Sequence, residues 1–322
     1  MSERLRAFVA DREGLSAEAV EVRGLRRLAG GASRLLWSVD VRLNGDGVEP
    51  ETLELVLRQD PPGRIAPGGM ELEFELLRAA AASGVPVPRV YWCSTDSSPL
   101  GSPFFAMERI AGEAIPRRLL RDERYAQARD VMTSQLGAIL AGIHRVDIDA
   151  SGLRDRLPHP SNGTAPALAE IDRVVEGYRA FALEPHPVLD LAERWLRARL
   201  PPTGRIGLVH GDYRIGNVIF DESGTRAILD WELAHVGDPV EDLGWLCVRA
   251  WRFGRDSLAA GGIGTREELV RAYEAAGGAP VDPAALRFWE MCGNFKLALV
   301  FITQARAYLD GAHPTVELAA LG

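Results

Sequence analysis

A short polar hairpin embedded in a helical stretch constrains this chain more than any other feature. Residues 205–232 read RIGLVHGDYRIGNVIFDESGTRAILDWE. Two apolar runs, residues 218–220 and 227–229, flank the turn composition Glu222-Ser223-Gly224, so the stretch reads as a β-hairpin. The strands of a hairpin run antiparallel, which brings their outer ends together. Asn217, just before the first strand, and Asp230, just after the second, are therefore expected side by side. One carboxylate and one carboxamide oxygen suit a hard cation such as Mg²⁺, which takes one or two protein carboxylates and fills its shell from water and phosphate oxygens. Asp212 lies on the loop leading into this pair.

Helical spacing surrounds the hairpin. Residues 124–145 carry Met132, Leu136, Ile139, Leu140 and Ile143 on one face. Further helices are predicted over 167–181, 188–200, 240–252, 265–275 and 282–309, with a Pro/Gly/Ser-rich loop over 151–166. The first hundred residues read instead as strands (22–28, 35–43, 53–58, 90–93) with one helix over 70–82, and a further strand follows at 104–108. On that helix Glu73 shares a face with Leu76, Leu77 and Ala80, opposite Glu71, Glu75 and Arg78. A carboxylate on the apolar face needs a cation or strong donors.

Composition removes several function classes. At 322 residues, 47% hydrophobic and 25% charged, the chain is globular and long enough for two lobes. A net charge of −8 weighs against a nucleic-acid partner. No apolar run approaches a membrane span. The opening MSERLRAFVADREGLS is charged and amphipathic without a secretory apolar segment, and three scattered cysteines make neither a disulfide framework nor a zinc pattern. The expected compartment is the cytoplasm. Of 37 basic residues only Lys296 is a lysine, which excludes a Walker A loop. Lys296 lies among Leu297, Ala298, Leu299 and Val300 and reads as a snorkelling core residue, with contact to a substrate anion as the alternative.

The run His210-Gly211-Asp212-Tyr213-Arg214-Ile215-Gly216-Asn217 resembles the catalytic loop of the protein-kinase-like superfamily, and Asp230-Trp231-Glu232 stands where those kinases carry D-F-G. The closer likeness is to the aminoglycoside phosphotransferase and choline kinase-like family, through HGDYRIGN, ILDWE, Gly237-Asp238-Pro239 and Asp242-Leu243. Within it the chain is most similar to the branch also found fused to acyl-CoA dehydrogenases, through VLRQDPPG, GVPVPRV, PFFAMERIAGE, ILAGIHRVD and FKLALVF.

The resemblance implies an α+β, bilobal protein-kinase-like fold. Residues 1–108 would form an N-lobe of small antiparallel sheet plus helix, and 109–322 a larger, mainly helical C-lobe. It implies transfer of the γ-phosphoryl group of ATP to a hydroxyl of a small molecule, with Mg²⁺ as cofactor. In that scheme Asp212 orients the acceptor hydroxyl and takes its proton, while Asn217 and Asp230 hold the metal. Arg58 replaces the lysine usual on the third strand, with Glu73 as its ion partner. Backbone at Gly30, Gly31 and Ser33 would cover the triphosphate, an ordinary hairpin turn being the alternative there. Glu108 and Ile110 would offer backbone to adenine. Asp238 and Asp242 read as capping and bracing residues, with completion of the metal site as the alternative, and Trp245 and Trp251 as packing, with the lining of the acceptor pocket as the alternative. The basic residues Arg249, Arg252 and Arg255 favour an anionic acceptor, and the branch suggests a hydroxyacyl-CoA. An aminoglycoside acceptor and a regulatory pseudokinase are the rival readings.

Overall fold

The computed structural model describes residues 1–28, 34–45, 49–61, 69–161 and 163–311. The chain divides into two compact units. The first comprises Met1–Gly112, Asp147–Leu157 and Arg226–Glu232; the second comprises Glu113–Val146, Pro158–Thr225 and Leu233–Gly322.

In the first unit α1 (Ser2–Glu13) precedes β1 (Val20–Arg27), β2 (Leu35–Leu43), β3 (Glu51–Gln59), α2 (Gly69–Ala82), β4 (Val90–Ser94) and β5 (Phe104–Glu108). The strands form one antiparallel sheet in the order β1-β2-β3-β5-β4. Alternation along β3 decides what reaches each face. Leu53, Leu55 and Leu57 are buried in one cluster with Leu5, Phe8 and Val9 of α1. Arg58 is thereby turned to the other face. It pairs in register with Phe105, and Phe105 meets Phe74 of α2 edge-on, with 6.2 Å between ring centroids. So α1 covers one face of the sheet and α2 the face that carries Arg58.

Sequence periodicity finds α2 and its buried Glu73 but not α1. The first hundred residues hold two helices rather than one. The apolar stripe of α1 is only Leu5, Phe8 and Val9 among charged neighbours, so its helical period is faint.

The second unit contains α3 (Pro116–Arg121), α4 (Ala126–Ile143), α5 (Pro166–Phe181), α6 (Pro187–Arg197), β6 (Gly207–Val209) and β7 (Val218–Asp221). The boundary between units falls inside β8 (Gly224–Ile228), which forms a two-stranded sheet with β7. Then follow β9 (His235–Gly237), α7 (Val240–Leu246), α8 (Arg266–Ala275) and α9 (Pro283–Leu309). Ile171 and Val174 of α5, Leu196 of α6, and Phe288, Trp289 and Phe295 of α9 form its core. The β6–β9 pair escapes sequence reading because three residues a side are too few to show a period. The helix expected over 240–252 stops at Leu246, where Val248 turns extended before a 3₁₀ turn at Arg249–Arg252. Among the described residues no helix is long and apolar enough to cross a membrane.

Candidate active site

In the first unit the sheet face under α2 holds a buried charge network. Arg58 Nη1 lies 3.3 Å from Glu73 Oε1. Its Nη2 donates to Asp230 Oδ1 at 2.8 Å and to Glu232 Oε2 at 3.3 Å. A second guanidinium, Arg34 just before β2, donates from Nε to Asp60 Oδ1 at 3.1 Å and from Nη1 to Glu73 Oε2. Glu73 thus has two cations where the sequence offers only Arg58. Burial opposes the charge on Arg58, but the carboxylates of Glu73, Asp230 and Glu232 outweigh it and hold the guanidinium above its ordinary value. Burial likewise lifts the Glu73 carboxyl, against the opposing pull of Arg58 and Arg34.

Asp230 follows β8 with φ of 67°, the left-handed region that aspartate enters more readily than most residues. Trp231 turns inward, 1% exposed, and its Nε1 donates to the Ile228 carbonyl at 3.3 Å. The intervening inward tryptophan leaves Asp230 and Glu232 sharing Arg58. Arg58 and Arg34 thus share four carboxylates, with Glu73 common to both.

Glu108 ends β5, and its N–H donates to the Arg89 carbonyl at 2.7 Å. Ile110 follows in the connector. Gly30, Gly31 and Ser33 lie outside the described residues.

In the second unit Asp212 sits at the centre of converging donors. Asn217 Nδ2 donates to Asp212 Oδ2 at 2.7 Å and to its carbonyl at 2.9 Å. Trp245 Nε1 donates to Asp212 Oδ1 at 2.8 Å. Arg214 Nε reaches the two carboxylate oxygens at 3.1 and 3.2 Å. The amide nitrogen of Asn217 is spent on Asp212, which leaves its carboxamide oxygen to face elsewhere. Asp212 and Asn217 are brought together; Asp230 belongs to the first unit.

The loop before Asp212 is held from behind. Asp242, fully buried, accepts from the backbone N–H of His210 at 2.8 Å and of Gly211 at 3.0 Å. His144 Nε2 donates to the same carboxylate at 3.1 Å, and Tyr273 hydroxyl donates to His144 Nδ1 at 3.1 Å, with the tautomer assigned from these partners. Burial pushes the Asp242 carboxyl up, but His144, His210 and the backbone donors outweigh it and hold it below its ordinary value. Asp242 is the brace that sequence reading expected. Gly211 makes the turn possible, with φ of 81° and space for no side chain: a Cβ would lie 2.3 Å from the Leu233 carbonyl oxygen.

Lys296 corrects a sequence expectation. It does not snorkel but is buried, with Nζ 3.2 Å from both Glu170 Oε1 and Glu241 Oε1. Burial works against the ammonium, and the two carboxylates more than restore it, holding it well above the usual lysine range. In the basic stretch Arg252 donates to Glu290 at 2.6 Å and Arg255 to the Leu120 carbonyl, while Arg249, exposed, pairs with Asp256 at 3.1 Å. Trp245, expected to pack, is in addition a donor to Asp212.

A profile of the phosphotransferase enzyme family matches residues 24–289. The chain belongs to that family. Mouse acyl-CoA dehydrogenase family member 10 is 31% identical over 279 residues, a match covering 81% of this chain and 24% of the mouse protein. The chain spans about a quarter to a third of the length of the curated relatives it matches. A solved Ralstonia eutropha protein assigned as an aminoglycoside phosphotransferase superposes with a TM-score of 0.77 at 25% identity, covering 100% of this chain and 94% of that one. The streptomycin–ATP complex of APH(2")-IIa shares the fold, with a TM-score of 0.57 at 18% identity over 92% of this chain and 89% of that one. The fold is thus the α+β, kinase-like fold of these phosphotransferases, with the small antiparallel sheet expected from sequence.

Proposed function

We propose that this family member transfers the γ-phosphoryl group of Mg-ATP to a hydroxyl of a small metabolite. The observation that carries the reading is the Asp212 carboxylate, fixed by donors from Asn217, Trp245 and Arg214. A carboxylate held in one orientation can align an acceptor hydroxyl and accept its proton. Arg58 keeps its charge, braced by Glu73, and serves the phosphates of the nucleotide. Residues 1–108 act as the nucleotide-binding lobe and 109–322 as the catalytic lobe. Backbone at Glu108 and Ile110 receives the adenine, and Gly30, Gly31 and Ser33 serve the phosphates.

The residues fit Mg²⁺. Asn217 has a carboxamide oxygen to offer and Asp230 a carboxylate. Among the described residues no group of three or more His, Cys, Asp or Glu could hold a metal. Two oxygen ligands with phosphate and water completing the shell is the usual Mg²⁺ arrangement at such sites. When bound, the ion neutralises charge on the phosphate oxygens.

The acceptor class we favour is a hydroxylated acyl-CoA. Its support is that relatives named for acyl-CoA dehydrogenases carry this stretch within a longer chain. The likeness to the Ralstonia protein favours an aminoglycoside as the second reading. The deciding experiment follows ADP release from Mg-ATP with hydroxyacyl-CoA, sugars or aminoglycosides as acceptors. Acceptor-dependent turnover that Asp212→Asn abolishes is expected. Identical rates in wild type and Asp212→Asn with every acceptor would favour the pseudokinase reading.

A further inference from the structure

We propose that Lys296 is a positioning residue for Asp212, acting from behind the catalytic loop through the Trp245 ring and the Gly211 carbonyl. The inference rests on Asp212 being the proton acceptor of the proposed phosphotransfer. Lys296 Nζ lies 5.2 Å from the centroid of the Trp245 ring and donates to the Gly211 carbonyl at 3.4 Å. The edge of that same indole donates to Asp212 Oδ1 at 2.8 Å. One ammonium therefore touches both the residue before Asp212 and the side chain that orients its carboxylate.

The surroundings fix the ammonium in place. Its three hydrogens are matched by three acceptors, Glu170, Glu241 and the Gly211 carbonyl. Glu170 is also held by Arg173 at 2.5 Å, and Glu241 by His235 at 3.2 Å, so neither carboxylate depends on Lys296 alone. Helices α7 and α9 meet closely enough to set the ring over the ammonium. A Cβ on Gly244 would lie 2.6 Å from the Trp289 backbone, and one on Gly293 would lie 2.6 Å from Val248 Cγ2 and 3.2 Å from Trp245 Cε3. The chain uses arginine at every other basic position. A compact ammonium spreads its three N–H groups tetrahedrally, whereas the five of a guanidinium lie in one plane.

The test is Lys296→Met, read in two ways. The indole N–H resonance of Trp245, assigned by its absence in Trp245→Phe, is expected to move, which needs neither acceptor nor turnover. With Mg-ATP as substrate and water as acceptor, kcat is expected to fall about 10- to 100-fold while KM for the nucleotide stays within about twofold. A wild-type resonance together with a wild-type kcat overturns the proposal. If Lys296→Met does not fold, Trp245→Phe carries the test, because it keeps the lysine and removes the donor to Asp212. A wild-type kcat in that variant overturns the proposal equally. Equal turnover in wild type and Asp212→Asn would instead remove the phosphotransfer reading, and the indole resonance would still decide whether Lys296 governs the tryptophan.

Discussion

Arg58 donates to Asp230 at 2.8 Å although 172 residues of chain separate them. The contact joins the end of the third strand to the DWE segment, and Glu73 and Arg34 lock it from below. Removing Glu73 takes away the one carboxylate that bridges Arg58 and Arg34 inside the buried network. Breaking a buried pair in this way destabilises by about 3–5 kcal/mol, so Glu73→Ala should lower the urea midpoint markedly. Arg58→Ala should weaken nucleotide binding measured by calorimetry. Arg58→Lys should keep part of it, since the charge survives while the two-pronged contact does not.

Asp212 and Asp230 should separate in kinetics. Asp212 is expected to act on the acceptor, so Asp212→Asn should lower kcat by about 10²–10⁴-fold and leave nucleotide KM within a few fold. Asp230→Ala should abolish the Mg²⁺-dependent part of nucleotide binding. Unchanged Mg-ATP affinity in Asp230→Ala would contradict its assignment to the metal.

The buried carboxylate of Glu73 was legible because a single helix face can be drawn from sequence. Its second cation was not: Arg34 precedes β2 beside an apolar run, and only the fold brings it to α2. Glu232 could have been found, since it and Asp230 flank a Trp231 expected to turn inward. Asp212 and Asn217 stand out through the hairpin pattern and the family resemblance together. Trp245 and Lys296 were hidden because their polar ends meet the catalytic loop through the packing of α7 on α9, which depends on Gly244 and Gly293. Periodicity reports that a residue is inside, not what its polar atom touches.

Gly211 is the residue of the loop least able to change. A methyl group there would meet the Leu233 carbonyl oxygen at 2.3 Å, and φ of 81° already disfavours a side chain. The backbone must therefore move, and Asp212 moves with it. Gly211→Ala should lower kcat about 100-fold, the scale of an ångström-sized misplacement, and also lower Tm in calorimetry. A wild-type kcat would show that the loop tolerates the shift.

Asp242 gives the loop a pH dependence whose sign can be worked out. Its folded-state value lies below its ordinary 3.8, because the donors from His144, His210 and the backbone outweigh burial. The unfolded chain therefore binds its proton more readily than the folded one. The stabilisation is fully present above pH 3.8 and is lost as pH falls through that value toward the lower folded one. Replacing the acid by Asn keeps the shape but removes the charge that accepts two backbone N–H groups and the imidazole. Asp242→Asn should cost roughly 2–4 kcal/mol near neutrality. The difference between variant and wild type, followed by urea unfolding, should shrink as pH is lowered through that range. A difference that stays constant down to acid unfolding would mean that the carboxylate's charge is not what holds His210 and Gly211.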